Sequence, residues 1–150
     1  MSVKDIRRCI NGQLFKGSDK FMVNDILYHH EKIAPNKLLF LRQKRKINWE
    51  KIAQSAPCVI VTDIIYAELE RITMCTIIKV QDIEEAFWKF VDIYRGQFSI
   101  PVVSVTGTNG KTTTKDMIKH ILHFDHKVTG TKRSANSRTH HLPYLLAIDS

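Results

Sequence analysis

No stretch of this 150-residue sequence approaches the roughly 20 consecutive apolar residues that a membrane helix needs. Its opening, Met1-Ser2-Val3-Lys4-Asp5, leads into mixed polar sequence and not into the apolar core of a signal peptide. No membrane partner is therefore expected, and the cytoplasm is the expected compartment. Cysteine is scarce: Cys9, Cys58 and Cys75 are odd in number, with neither a C-x-x-C spacing nor a histidine at zinc-finger distance, so they read as reduced and mostly buried. Repeats and low-complexity segments are absent. Acidic residues are outnumbered, 15 against 23 lysines and arginines, which leaves a net charge of +8. That excess suits a nucleic-acid partner or phosphorylated ligands equally, and charge alone does not decide. The basic run Arg42-Gln43-Lys44-Arg45-Lys46 has no interleaved aromatic, so nucleic acid is not expected; a solvated loop is the default and contact with a diphosphate the functional option.

What is present, 43% hydrophobic and 25% charged residues, is the composition of a globular protein. Residues 2–14 read as a short opening helix, with Ile6 and Ile10 one turn apart. Residues 21–23 and 37–41 are strand-like, and Pro35-Asn36 between them is a turn signal. A short helix over 48–55 should end before Pro57. Residues 58–61 and 76–80 are β-branched runs suited to buried strands, with 66–72 between them open as helix or loop. From Asp82 to Tyr94 the apolar residues Ile83, Ala86, Phe87, Phe90, Val91 and Tyr94 fall at i, i+3, i+4, i+7, i+8 and i+11, the spacing of an amphipathic helix. Phe87 and Trp88 read as core or interface residues of that helix.

A boundary near 96–99 then separates residues 1–97, a small α/β domain, from 98–150, where a new βαβ unit begins. Its expected parts are a strand over 100–105, a helix over 110–124 with Met117, Ile118, Ile121 and Leu122 on one face, a strand over 127–129 and a helix over 142–148. About 50 residues are too few for a complete parallel nucleotide-binding sheet. The expected class is thus α/β, with a small first domain followed by the first βαβ unit of a P-loop-type parallel sheet, incomplete. An exposed apolar flank on 100–150 would favour self-association, and the oligomeric state is left open.

Between that strand and helix stands Thr106-Gly107-Thr108-Asn109-Gly110-Lys111-Thr112-Thr113-Thr114. Glycines let the backbone bend until successive N–H groups face an anion, a lysine supplies a cation, and the hydroxyl after it can enter a Mg2+ shell. A bare G-x-x-G would read as a strand-to-helix turn, but Lys-Thr directly after it points to nucleotide phosphates. The usual pattern G-x-x-x-x-G-K-[ST] puts its first glycine at position 105, which is valine here. The candidate nucleotide-binding residues are Gly107, Thr108, Asn109, Gly110, Lys111, Thr112 and Thr113. Lys111 is expected against the β- and γ-phosphates and Thr112 on Mg2+.

The run V-V-S-V followed by T-G-T-N-G-K-T-T-T-K-D-M-I resembles the start of the central ATPase domain of the Mur ligases, which build the peptide of peptidoglycan. Lys115-Asp116-Met117-Ile118 is most like the members that add D-alanyl-D-alanine. The upstream order is similar too, since such ligases carry a small N-terminal domain for the UDP end of the substrate. The resemblance implies ATP and Mg2+ as cofactors and a UDP-linked muramoyl peptide as partner. The activity it implies is amide synthesis through an acyl phosphate. It also implies that Asn136, in the polar loop 130–138, lies near substrate, although simple turn chemistry serves that loop equally well. The family's magnesium-binding acid and histidine, carbamylated lysine and C-terminal domain have no counterpart in these 150 residues, so no complete catalytic set and no ligase turnover by this polypeptide alone are expected. The alternative is a non-catalytic binding or regulatory module with a remnant phosphate loop. His120, His123 and His126 lack the H-E-x-x-H spacing and suit a helix end better than a metal site.

Overall fold

The computed structural model describes residues 1–27, 34–42 and 47–131. The chain divides into two compact units, Met1–Ile93 and Tyr94–Ser150. The first unit is built on a five-stranded sheet in the order β1-β5-β4-β3-β2. Its strands are β1 (Gln13–Lys16), β2 (Asp25–Leu27), β3 (Lys37–Phe40), β4 (Cys58–Thr62) and β5 (Cys75–Lys79), and its helices are α1 (Val3–Cys9), α2 (Trp49–Gln54), α3 (Ala67–Arg71) and most of α4 (Ile83–Gly96), whose last turn belongs to the second unit. Strands β2 to β5 run parallel, while β1 joins the edge of β5 antiparallel.

Burial explains the sequence of the central strands. All five residues of β4 are buried, as are the first four of β5, because helices cover both faces of the sheet. Alternation sorts the side chains between those faces. Leu39, Leu41, Cys58, Ile60, Cys75 and Ile77 pack with Ile52 of α2 and Leu69 of α3. On the other face Phe40 meets Phe87 and Phe90 of α4, with ring centroids 5.1 and 5.3 Å apart. Arg42 then lies over Phe87, 4.0 Å from the ring centroid, and makes a bidentate pair with Glu84.

Local chemistry sets the helix boundaries. Ser2 caps α1 by accepting the Asp5 N–H, Asn48 caps α2 by accepting the Lys51 N–H, and Asp82 accepts the Glu85 N–H at the start of α4. The expected fold class, mixed α/β, is what the chain adopts.

Several elements differ from expectation. Helix α1 stops at Cys9 instead of running to 14: the chain reverses through Asn11, whose φ of 53° is left-handed, and Leu14 enters β1. Strand β1 gave no sequence signal because its residues are exposed or half-buried at a sheet edge and carry no apolar alternation. The strand expected over 21–23 is a single bridge between Met22 and Ser2, and the ladder begins at Asp25, where Lys37 of β3 is both register partner and ion-pair partner. Residues 66–72, left open, contain α3.

In the second unit the regular element among the described residues, beyond the end of α4, is α5 (Lys111–Leu122). Residues 100–105 and 127–129, expected as strands, form none. An isolated extended segment gains no ladder hydrogen bonds, and no described residue pairs with either. Val102 and Val103 are accordingly 67% and 61% exposed. The end of α4 does hold the chain that follows: Arg95 donates to the carbonyls of Phe98 and Ile100, at 2.6 and 3.1 Å. The helix expected over 142–148, residues 43–46 of the basic run and Asn136 lie outside the described residues.

Candidate phosphate-binding site

The site grows from two glycines with positive φ. Gly107 has φ of 148° and Gly110 of 75°. Nothing crowds a Cβ built at Gly110, whose nearest neighbour would be Thr114 Oγ1 at 4.0 Å, so the requirement there is conformational. Gly110 is the N-cap of α5 and its carbonyl accepts the first intrahelical bond, from the Thr114 N–H at 2.8 Å. The N–H groups of Lys111, Thr112 and Thr113 precede that bond and have no carbonyl within the helix to meet.

Electrostatics at this helix start differ from those elsewhere. Helices α1 to α4 each carry an acidic residue in the first turn: Asp5, Glu50, Glu68 with Glu70, and Glu84 with Glu85. Helix α5 has none, and no side chain caps it. Its positive end is left to a cation and hydroxyls: Lys111, Thr112 and Thr113, all exposed.

Lys111 folds back over the loop. Its Nζ donates to the Gly107 carbonyl at 2.5 Å and to the Thr108 carbonyl at 3.2 Å. The charge is thereby held over the turn that Thr108 and Asn109 make. The loop thus brings together Gly107, Thr108, Gly110 and Lys111, with Asn109 between them in the chain and Thr112 and Thr113 on the first helical turn. A shallow concavity of about 440 Å3 continues along Thr112, Thr113, Asp116, Met117, His120 and Ile121. Met117 and Ile121 are 60% and 63% exposed in it, so the apolar face expected of this helix exists but is not buried.

Sequence reasoning missed Lys115. One turn after Lys111, it pairs with Asp116 at 2.8 Å and donates to the Thr131 carbonyl, tying the beginning of the polar loop 130–138 to α5. Nothing in its spacing announced the bond to Thr131, which joins residues 16 apart. His120 makes an edge contact with the Phe124 ring, centroids 5.4 Å apart. Among the described residues no three His, Cys, Asp or Glu side chains group as metal ligands. The groups at 107–113 are backbone N–H donors, one ammonium and hydroxyls, a set whose chemistry would suit an anion. No helix among the described residues is long and apolar enough to cross a membrane.

Comparison with known proteins gives this loop a setting. Residues 105–148 match the family model described as Mur ligase middle domain. Over 128 residues the chain is 29% identical to the UDP-N-acetylmuramoyl-L-alanyl-D-glutamate--2,6-diaminopimelate ligase of Clostridium tetani, covering 81% of this chain and 26% of that protein. The proteins of the same name from Clostridium perfringens and Alkaliphilus metalliredigens are 27% and 26% identical, again over 81% of this chain. The chain spans about a quarter of the length of these relatives. These matches support the Mur ligase family, which serves peptidoglycan precursor synthesis, without singling out a D-alanyl-D-alanine-adding member.

Proposed function

We propose that Gly107, Thr108, Asn109, Gly110, Lys111, Thr112 and Thr113 hold the phosphates of ATP, with the Thr112 hydroxyl in the shell of a Mg2+ ion. In this reading residues 1–97 are the substrate domain of a Mur-type amide ligase, and residues 98–150 are the start of its ATP-binding domain. The observation that carries it is the start of α5. There a left-handed glycine, an absence of first-turn acid and a lysine held over the loop coincide where the middle-domain match begins.

When bound, ATP with Mg2+ supplies a phosphoryl group that activates a substrate carboxylate for amide formation. The residues of this chain do the holding. The N–H groups of Lys111 to Thr113 give directed donors, and Gly110 sets their direction through its φ of 75°. Lys111 exchanges its two carbonyl partners for phosphate oxygens, keeping positive charge where negative charge accumulates. Lys115 fixes the entry of the loop after Gly130, and Asn136 in that loop is the candidate contact to substrate.

The substrate side follows from the relatives' names, which specify a UDP-N-acetylmuramoyl peptide. A UDP-linked muramoyl peptide is accordingly the proposed partner, and the cytoplasm the proposed compartment. For the added group, the run Lys115-Asp116-Met117-Ile118 favours D-alanyl-D-alanine, whereas the relatives' names favour 2,6-diaminopimelate. Calorimetric titration of the chain with MgATP tests the phosphate site. Weak binding is expected, lowered at least tenfold further by Lys111→Ala, because a charge-assisted hydrogen bond is worth about 1.5–3 kcal/mol. Equal affinity of wild type and variant would remove the lysine from the site.

A further inference from the structure

Two thiols meet in the core of the first unit, far in sequence from the phosphate loop. Cys58 and Cys75 open the parallel strands β4 and β5 and are direct register partners. Their sulfurs lie 3.6 Å apart, and the two residues are 1% and 2% exposed. Neighbouring strands run about 4.8 Å apart, inside the roughly 4.4–6.8 Å Cα separation that a disulfide spans. Both thiols are free, and Cys9, the remaining cysteine, is half-buried on α1.

A second feature lies close in the chain to the starts of these two strands. A groove of about 580 Å3 runs along α2 and α3 and is lined by Ala56, Ile72, Thr73 and Met74. These residues lie within three positions of Cys58 or Cys75 in the chain, where the two strands begin. Met74 is 72% exposed at the rim, with a left-handed φ of 59°. Neither cysteine lines the groove, so a small disulfide seated there reaches a thiol through an opening of the strand starts.

We propose that Cys58 and Cys75 form a latent redox pair, closed to an intramolecular disulfide by low-molecular-weight disulfides of the glutathione type that enter this groove. Either sulfur can attack first; where Cys58 attacks, Cys75 resolves. The two thiols share a hydrogen bond in which either sulfur can donate, and both are buried. The thiolate of Cys58 attacks one sulfur of the oxidant, forming a mixed disulfide and releasing one thiolate. Cys75 then passes its proton to that leaving thiolate and attacks the Cys58 sulfur, expelling the second thiolate, which takes a proton from water. Two protein thiols are oxidised by two electrons, and one disulfide is reduced to two thiols. The new bond closes a segment whose ends are 17 residues apart and which contains α3, cross-linking adjacent strands.

The test treats the folded full-length chain with glutathione disulfide, then unfolds it in the presence of an alkylating reagent and maps the peptides by mass. The expected result is one alkylated cysteine, Cys9, and a Cys58–Cys75 cross-linked peptide lighter by two hydrogens, which dithiothreitol restores. Cys75→Ser is expected to accumulate a glutathione adduct on Cys58, and Cys9→Ser to leave the cross-link unchanged. Three alkylated cysteines in the treated wild-type chain, or a cross-link that includes Cys9, would overturn the proposal without reference to any variant.

Discussion

Replacing Gly110 by alanine isolates the conformational part of the phosphate loop. A Cβ at this position meets nothing closer than 4.0 Å, so no steric contact contributes. The left-handed φ of 75° remains, and it costs an L-residue with a Cβ about 1–2 kcal/mol. The alanine variant escapes that cost by relaxing the loop, which breaks the bond from the Thr114 N–H to the Gly110 carbonyl and frays the first turn of α5. Two readouts should move together. Amide exchange at Thr114 should accelerate by about 5–30-fold, and affinity for MgATP should fall by a similar factor, since the bound loop must be restored to the left-handed form. Gly110→Asn separates this account from generic damage: asparagine visits the left-handed region more readily than alanine and should recover most of both losses. Calorimetry and hydrogen exchange followed by mass spectrometry measure the two effects. An alanine variant that exchanges and binds like wild type, or an asparagine variant as impaired as alanine, would refute the reasoning.

Three other outcomes are expected. Phe40→Ala should cost about 3–5 kcal/mol, because Phe40 is 2% exposed and its ring touches those of Phe87 and Phe90; urea denaturation followed by circular dichroism reads the loss. Acid should destabilise the first unit through Asp19, whose carboxyl is held below its usual range by hydrogen bonds from the Arg7 guanidinium. A carboxyl with a depressed folded pKa contributes in full above its unfolded value, about 3.9, and the contribution disappears as pH falls through the folded one. Melting temperature should therefore drop below about pH 4, and Asp19→Asn should flatten that limb. Lys115→Ala should free the Thr131 carbonyl and speed limited proteolysis around Gly130, whereas α5 itself should keep its helicity.

The parts of the fold that could be read in advance are those where burial acts on one segment at a time. Strands β4 and β5 needed apolar β-branched residues because both faces are covered, and α4 shows its buried stripe in Phe87, Phe90 and Val91. Strand β1 could not be read, since Gln13, Leu14 and Phe15 owe their conformation to the free edge of β5 and not to their own pattern. The opposite failure occurred at residues 100–105, where β-propensity was strong but no described residue offers a ladder. At the loop, the residue types are what suggests an anion site, and the left-handed Gly110 and the uncapped helix start are consistent with it. The return of Lys111 onto the Gly107 and Thr108 carbonyls and the bond from Lys115 to Thr131 depend on three-dimensional placement and were not visible. The Cys58–Cys75 contact likewise appears only once β4 and β5 are set in register.

Backbone amide chemical shifts during titration with MgATP test the central claim most directly. If residues 107–113 cradle phosphate, the largest shifts should fall on the amides of Gly107 to Thr114 and disappear in Lys111→Ala. Shifts elsewhere with none in this segment, or shifts that Lys111→Ala leaves unchanged, would contradict it.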